Sequence, residues 1–103
     1  MSVDQYQRSV NSLDKDIAEL EKKKASADKK AADEESKANG VNWSRNASES
    51  TIKSKMRQIE SHKKVAAKAR ADSAELQKKI ADKRKKRNDS YIRLQKEQQI
   101  WAY

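Results

Sequence analysis

The sequence contains no cysteine, no proline and no phenylalanine, and it has one glycine and one histidine among its 103 residues. Without cysteine there can be no disulfide framework and no thiolate metal site, and a single histidine excludes a histidine-based zinc or iron site. No apolar run approaches the roughly 20 residues that span a bilayer, and no signal peptide is visible at the N-terminus. These absences predict a cytoplasmic protein without a transmembrane segment, a metal or a cofactor.

The composition is dominated by charge, with 40% charged residues, 34% hydrophobic residues and a formal net charge of +9. Abundant Ala, Glu, Lys and Arg without Pro is typical of long helices and coiled coils. An enzyme of this size would have to build a concave pocket from two or three thin helices. We therefore predict a non-enzymatic, all-α protein with a single domain over residues 1–103.

A change of composition divides the chain near its only glycine, Gly40. Residues 1–50 carry 9 basic and 10 acidic side chains, whereas residues 51–103 carry 16 basic and 6 acidic side chains. Gly40 is placed as a left-handed residue that ends a helix, and either Asn46 or Ser48 can cap the next one. The prediction is a helix over about 3–38, a turn over 39–48 and a second helix over about 50–100.

The first helix follows the heptad pattern of a coiled coil, beginning with Val3, Tyr6 and Val10. Four of its e positions are acidic (Asp14, Glu21, Asp28 and Glu35) and three of its g positions are lysines (Lys23, Lys30 and Lys37), a segregation of charge that is typical of coiled coils. The second helix has an apolar seam and a basic flank at Lys63, Arg70 and Arg84, which is expected to face the acidic e positions of the first helix. We predict an antiparallel two-helix coiled-coil hairpin whose seam includes Val10, Leu13, Ile17, Leu20, Ile59, Leu76 and Ile80.

Two registers satisfy the packing of large against small side chains in this hairpin. One sets Val10 beside Leu76 and Ile17 beside Ala69. The other is one heptad longer and sets Ile17 on Leu76. The sequence leaves both registers open.

The second helix is longer than the first, so roughly its last 15 residues are expected to project beyond the hairpin. This overhang carries apolar side chains that have no predicted partner within the chain. A two-helix hairpin also buries too little surface to be very stable alone. We predict a homo-oligomer, most simply a dimer with a four-helix core, whose contacts include Tyr91, Leu94 and Trp101.

Five successive cations, Lys83, Arg84, Lys85, Lys86 and Arg87, surround one turn of the second helix. Such a run can contact the phosphates of nucleic acid or an anionic membrane surface. The simpler interpretation is a solvated segment with Asp4 as a partial neutraliser, because no stacking aromatic residues accompany the run.

Two further residues were considered as functional candidates, His62 and Trp43. His62 is interpreted as a half-exposed filler of an alanine-rich layer, although a single histidine can also sense pH.

Trp43 lies in the turn, as in the WXG100 family of small secreted helical hairpins, but here Ser44-Arg45 follows it where that family has x-Gly. An export signal is missing as well, since the fourth residue after Tyr91 is Gln95. A WXG100-like partner of a type VII-like secretion system is therefore an alternative function, and Trp43 is expected to plug the end of the hairpin.

A longer stretch is more distinctive: a Ser-rich turn, then Ser50-Thr51-Ile52-Lys53-Ser54-Lys55, then Leu76-Gln77-Lys78-Lys79-Ile80. This stretch resembles the N-terminal coiled-coil region of bacterial TIR-domain (Toll/interleukin-receptor-like) defence proteins, over residues 44–97. The resemblance implies self-assembly, whereas the NAD-cleaving TIR domain of that family has no counterpart here. The predicted function is a non-enzymatic oligomerisation or scaffolding module of a bacterial antiphage or TIR-type immune system, with a protein partner encoded nearby.

Overall fold

The computed structural model describes the backbone of residues 2–102 and the side chains of residues 2–100. Two helices make up this part of the chain: α1 is Val3–Gly40 and α2 is Glu49–Ala102. Residues 41–48 connect them, and the described residues contain no strand. The structure confirms the predicted all-α, antiparallel two-helix hairpin with a longer second helix.

Serine side chains begin both helices. Ser2 Oγ accepts from the backbone N–H of Gln5, and the Gln5 side chain accepts from the Ser2 N–H, which is a reciprocal capping box. Ser48 Oγ accepts from the Thr51 N–H, so Ser48 caps α2 rather than the alternative Asn46.

The end of α1 differs from its prediction. Gly40 is still helical and has no positive φ, so its expected role as a left-handed residue beyond the helix is wrong. The Val41 N–H instead donates to the Ala38 carbonyl at 3.3 Å, which closes the last turn without a left-handed residue.

The chain forms two packing units, and each contains a segment of both helices. In the first, which we call the terminal unit, the part of the chain up to Lys23 packs with the part from Glu75 onward. Its seam is aliphatic: Val10 is 3% exposed, Ile80 1% and Leu94 3%, and Leu13 is partly buried. Burial of branched side chains therefore holds this unit together.

The second packing unit, which we call the turn unit, spans Lys24–Ala74. Alanines fill most of its buried positions, and one serine, Ser73, is also buried at 7% exposure. Alanine buries little apolar area, so each layer here contributes less than an aliphatic layer of the terminal unit. The buried alanines are Ala31, Ala38, Ala66 and Ala69.

Both registers expected from large-to-small packing are wrong. Within the terminal unit Asp14 pairs with Arg87 and Asp16 with Lys83, whereas the two predicted registers set Ile17 beside Ala69 or Leu76. The observed register is about two heptads beyond the first expectation and one beyond the second. Alternation of large and small residues repeats along the seam, so it cannot distinguish these shifts.

The shifted register also corrects the expected overhang. Leu94, expected to be unpartnered, is 3% exposed. The extra length of α2 lies at its other end instead. Glu34–His62 is the cross-helix pair nearest the turn, and α1 ends at Gly40, whereas α2 already begins at Glu49. The first turns of α2 therefore have no α1 residues opposite them.

Candidate interaction surfaces

Two flanks of α1 border the seam, and their charges meet α2 differently. The e flank, at Asp14, Glu21, Asp28 and Glu35, was predicted to face a basic flank of α2. In the terminal unit the guanidinium of Arg84 donates to Glu21, and Arg87 Nε donates to Asp14 at 2.9 Å. Ion pairs therefore close this side of the terminal unit, as the sequence predicts for Arg84.

The e flank of the turn unit is closed by one bidentate pair. Arg70 Nε and Nη2 donate to the two carboxylate oxygens of Glu35 at 2.8 and 3.0 Å. These hydrogen bonds lower the pKa of Glu35 from its ordinary 4.5 and raise the pKa of Arg70. Arg70 was predicted to have this role, whereas Lys63, predicted with it, forms no ion pair among the described side chains.

A buried hydroxyl enters the seam of the turn unit. Ser73 Oγ donates to Asp28, whose other carboxylate oxygen accepts from Lys24 Nζ at 2.9 Å. The Ser73 hydrogen bond, followed by that of Lys24, lowers the pKa of Asp28 from its ordinary 3.8. Every polar atom buried here has a partner among the described residues.

His62 pairs with Glu34 in the same unit. The two side chains are 32% and 16% exposed, and His62 Nδ1 lies 2.7 Å from Glu34 Oε2. A carboxylate can only accept, so the Nδ1–H of His62 donates, and this bond is the main cause of the lowered pKa of Glu34. His62 is therefore a specific polar contact rather than a filler of an alanine layer.

The basic run of α2 is largely engaged within the chain. Lys83 pairs with Asp16, and Arg84 and Arg87 pair with two other α1 carboxylates, whereas Asp4, the expected neutraliser, forms no ion pair in the described part. Arg87 also lies over the ring of Tyr91, 5.0 Å from its centroid. Of the five predicted anion contacts, only Lys85 and Lys86 have no ion pair among the described side chains.

The g flank of α1 is more open than the e flank, with Lys83–Asp16 as its one cross-helix ion pair among the described side chains. In the terminal unit a groove of about 610 Å³ runs between the helices on this side. Its cations are Arg8 from α1 and Lys86 and Arg93 from α2. In the turn unit a groove of about 580 Å³ is lined by Lys30, Lys64, Val65, Lys68, Ala69 and Asp72.

The outer face of α2, opposite the seam, changes character near its C-terminal end. In heptad steps this face presents Arg57, Lys64, Ala71, Lys78, Lys85, Ile92 and Gln99. Ile92 is 49% exposed, and with its helical neighbours Asn88, Gln95 and Gln99 it forms an uncharged stripe. Asp89 and Lys96, three positions before Ile92 and four after it, border this stripe with opposite charges. A cationic column thus gives way to an uncharged stripe with an exposed isoleucine.

The remaining predicted residues fall in different places. Five of the seven predicted seam residues are partly buried, namely Leu13, Ile17, Leu20, Ile59 and Leu76. Tyr91 is 40% exposed, whereas Leu94 is buried within the chain and is not available as an oligomer contact. The side chain of Trp101 lies outside the described residues. Trp43 is 41% exposed, so it does not plug the hairpin end as expected.

Sequence reasoning missed Arg8 and Arg93, which lie at opposite ends of the chain and share a groove only in the observed register. The charges alone did not select this register. Glu21 and Glu35 are two heptads apart, as are Arg70 and Arg84. However, Asp14 and Asp28 are also two heptads apart, and a register one heptad shorter pairs them with the same arginines.

No helix in the described part is both long and apolar enough to cross a membrane. The same residues contain no cluster of His, Cys, Asp or Glu suited to a metal ion. Comparison with protein-family models, curated protein sequences and solved structures finds no match. The resemblance to TIR-type defence proteins therefore stays a prediction.

Proposed function

We propose that this protein is a non-enzymatic coiled-coil scaffolding module that associates with a second copy of itself. The uncharged stripe around Ile92 is the observation that carries the proposal. Ile92 is 49% exposed at an outer position where four of the other heptad-related residues of α2 are cations. The exposed half of this side chain can be buried only by a partner, which would add to the apolar area removed from water.

The charge of the chain supports a self-complementary contact at this stripe. With a net charge of +9, two copies repel each other over most of their surface. Asn88, Gln95 and Gln99 flank Ile92 with amide groups that can donate to and accept from the same groups of a second copy. A two-fold contact through this stripe therefore brings together apolar and amide groups instead of like charges.

The exposed surface of the chain also supports association. The structure exposes 8037 Å² at a mass of 11.8 kDa. A globular monomer of that mass exposes about 5900 Å². With alanines at four of its seven fully buried apolar positions, the hairpin has little internal burial to offset this exposure.

Ile92→Lys tests the proposal because it extends the cationic column of α2 through the stripe. We expect the wild-type chain to shift from monomer to dimer as its concentration rises, in sedimentation equilibrium or light scattering. The variant should remain a monomer, while its helical circular dichroism is unchanged, because lysine is a good helix former.

Ala71→Lys is the matched control. It adds the same charge at an exposed, heptad-equivalent position of the turn unit, outside the stripe. It should leave the dimer intact. A wild-type chain that is monomeric up to high micromolar concentration, or an Ile92→Lys variant that dimerises like the wild type, would refute the proposal.

The biological setting is a second part of this proposal. The resemblance of residues 44–97 to the coiled-coil region of TIR-domain defence proteins supports a role in a bacterial antiphage system, with a partner encoded nearby. Co-expression with the products of adjacent genes, followed by mass measurement of the purified complex, tests this part. A chain that purifies only with copies of itself would contradict it without affecting the dimer.

A further inference from the structure

The open groove of the terminal unit combines three cations from both helices. Arg8 lies on the first turns of α1, and Lys86 and Arg93 lie on α2. None of the three forms an ion pair among the side chains that the structure describes, although α1 carboxylates neutralise the neighbouring Lys83, Arg84 and Arg87. The positive charge of the groove is therefore uncompensated by ion pairs.

Hydroxyl groups line the same groove. Ser9 and Ser12 are one helical turn apart on α1, and Ser90 lies on α2 between Lys86 and Arg93. Ser9 and Ser90 are partly buried. Arginine forks and serine hydroxyls together are the donors that hold the oxygens of a tetrahedral oxyanion.

The groove also contains one carboxylate, Asp89, at helical spacing from Lys86 and Arg93. Three cations and one carboxylate leave an excess of two positive charges. A phosphomonoester carries about −1.5 to −2 at neutral pH. A phosphodiester carries a single negative charge, so the excess suits a terminal phosphate better than one backbone phosphate of nucleic acid.

From this arrangement we propose that the groove binds a phosphomonoester, with Arg8, Lys86 and Arg93 as its charged contacts and the three serines as hydroxyl donors. The volume of about 610 Å³ is sufficient for a small phosphorylated molecule. Because its contacts come from both ends of the chain, the site exists only when the terminal unit is folded. Binding therefore stabilises the folded hairpin.

The test is a titration of the full chain, followed by amide chemical shifts, with inorganic phosphate, adenosine monophosphate and phosphate-free adenosine. We expect saturable binding of both phosphates and none of adenosine. Tighter binding of the nucleotide than of inorganic phosphate identifies a phosphorylated small molecule as the source, and equal binding identifies free phosphate.

Lys86→Gln and Lys85→Gln form a matched pair, since both remove one unpaired charge from the same run and only Lys86 lines the groove. Lys86→Gln should weaken phosphate binding about tenfold or more, as expected for loss of a charge-assisted hydrogen bond. Lys85→Gln should change it less than about twofold, because exposed charges are largely screened at physiological salt. Asp89→Asn should tighten binding.

Ile92→Lys separates this site from self-association, since it abolishes the proposed dimer and leaves the groove intact. Phosphate binding that persists in that variant supports the assignment. Equal losses in the Lys85 and Lys86 variants would overturn it, because net charge rather than the groove would then be responsible. Absence of saturable phosphate binding, or duplex DNA that binds with steep salt dependence while phosphate does not, would also overturn it.

Discussion

The terminal unit and the turn unit use the same two helices and hold them together by different means. Aliphatic side chains such as Ile80 and Leu94 are buried in the terminal unit, whereas alanines such as Ala31 and Ala69 are buried in the turn unit. The turn unit adds the Ser73–Asp28 and His62–Glu34 hydrogen bonds. Burial of branched side chains is worth more than burial of methyl groups, so the terminal unit should be the more stable of the two.

The residues that fix the register of the two helices are not those that contribute most to stability. Hydrogen bonds between polar groups require one alignment of the helices, whereas aliphatic packing tolerates several. The polar pairs of the turn unit therefore select the register, whereas the acidic e positions recur every heptad and can pair with the same arginines after a shift. Apolar burial and choice of register thus reside in different residues of this chain.

Ile80→Ala should cause the largest loss of unfolding free energy among these variants. The side chain is 1% exposed, and its truncation leaves a cavity that costs about 2–5 kcal/mol of unfolding free energy. Urea unfolding followed by circular dichroism measures the loss, and Ile80→Val, which costs about 0.5–1.5 kcal/mol, keeps the test usable if the first variant does not fold. Ile100→Ala, at a 64% exposed position, is the control and should change little.

Ala31→Leu enlarges a buried side chain in the turn unit, whereas Ile80→Ala shortens one in the terminal unit. Ala31 is fully buried, so a larger side chain forces the helices apart and should cost about 1–3 kcal/mol. Ala32→Leu, at the next and exposed position, should lie within about 0.5 kcal/mol of the wild type. If both variants unfold at the same urea concentration, close packing of the alanine layers is not what this unit depends on.

Gly40→Ala should stabilise the end of the turn unit. Gly40 is helical, its φ is not positive, and a Cβ added there would meet no atom within 4 Å. Alanine therefore restricts the unfolded chain without strain, a gain of about 0.4–1 kcal/mol. Ala32→Gly, at an exposed position inside the same helix, is the reverse test and should lose about 0.5–1 kcal/mol in the same unfolding experiment. A destabilising Gly40→Ala would indicate a left-handed Gly40.

Acid should loosen the turn unit through its carboxylates. Folding lowers the pKa of Asp28, Glu34 and Glu35 from ordinary values of 3.8, 4.5 and 4.5. Their contribution is complete above those values and is lost as the pH falls through the lower folded pKa of each group. Amide protection factors of the turn unit, which are corrected for the intrinsic exchange rate at each pH, should therefore fall below pH 4.5.

Ser73→Ala sharpens the acid experiment at one site. Without the Ser73 hydrogen bond the pKa of Asp28 should rise toward its ordinary 3.8, which carboxyl chemical shifts record directly. The pKa of Glu35 is the internal control, because Arg70 rather than Ser73 lowers it. An Asp28 that titrates identically in both proteins would contradict the assigned cause.

Most local features of the fold could be predicted from the sequence. The 3–4 spacing of Val3, Tyr6 and Val10 correctly identified the face of α1 that packs, because a helix repeats its faces whatever its partner. Ser48 was one of two proposed caps and is the one observed. Ser2-x-x-Gln5 carries a capping-box signal that was present in the sequence and was missed.

The sites were less predictable because they depend on the register. Leu94 seemed free when judged from helix length alone, and Lys83, Arg84 and Arg87 seemed available for anions. In the observed register each of the three cations forms an ion pair with an α1 carboxylate. A shift by one heptad changes every cross-helix pair while leaving each helix unchanged, so single-helix patterns cannot report it.

Two long helices, the turn between them and the face that each one buries can be predicted from the sequence, since these features depend on contacts a few residues apart. Only the tertiary structure decided which layers meet, and with them the open groove around Arg8, Lys86 and Arg93. The physical reason is that the seam repeats, so several alignments bury similar apolar area. Cross-helix hydrogen bonds such as Ser73–Asp28, between residues distant in the chain, distinguish those alignments.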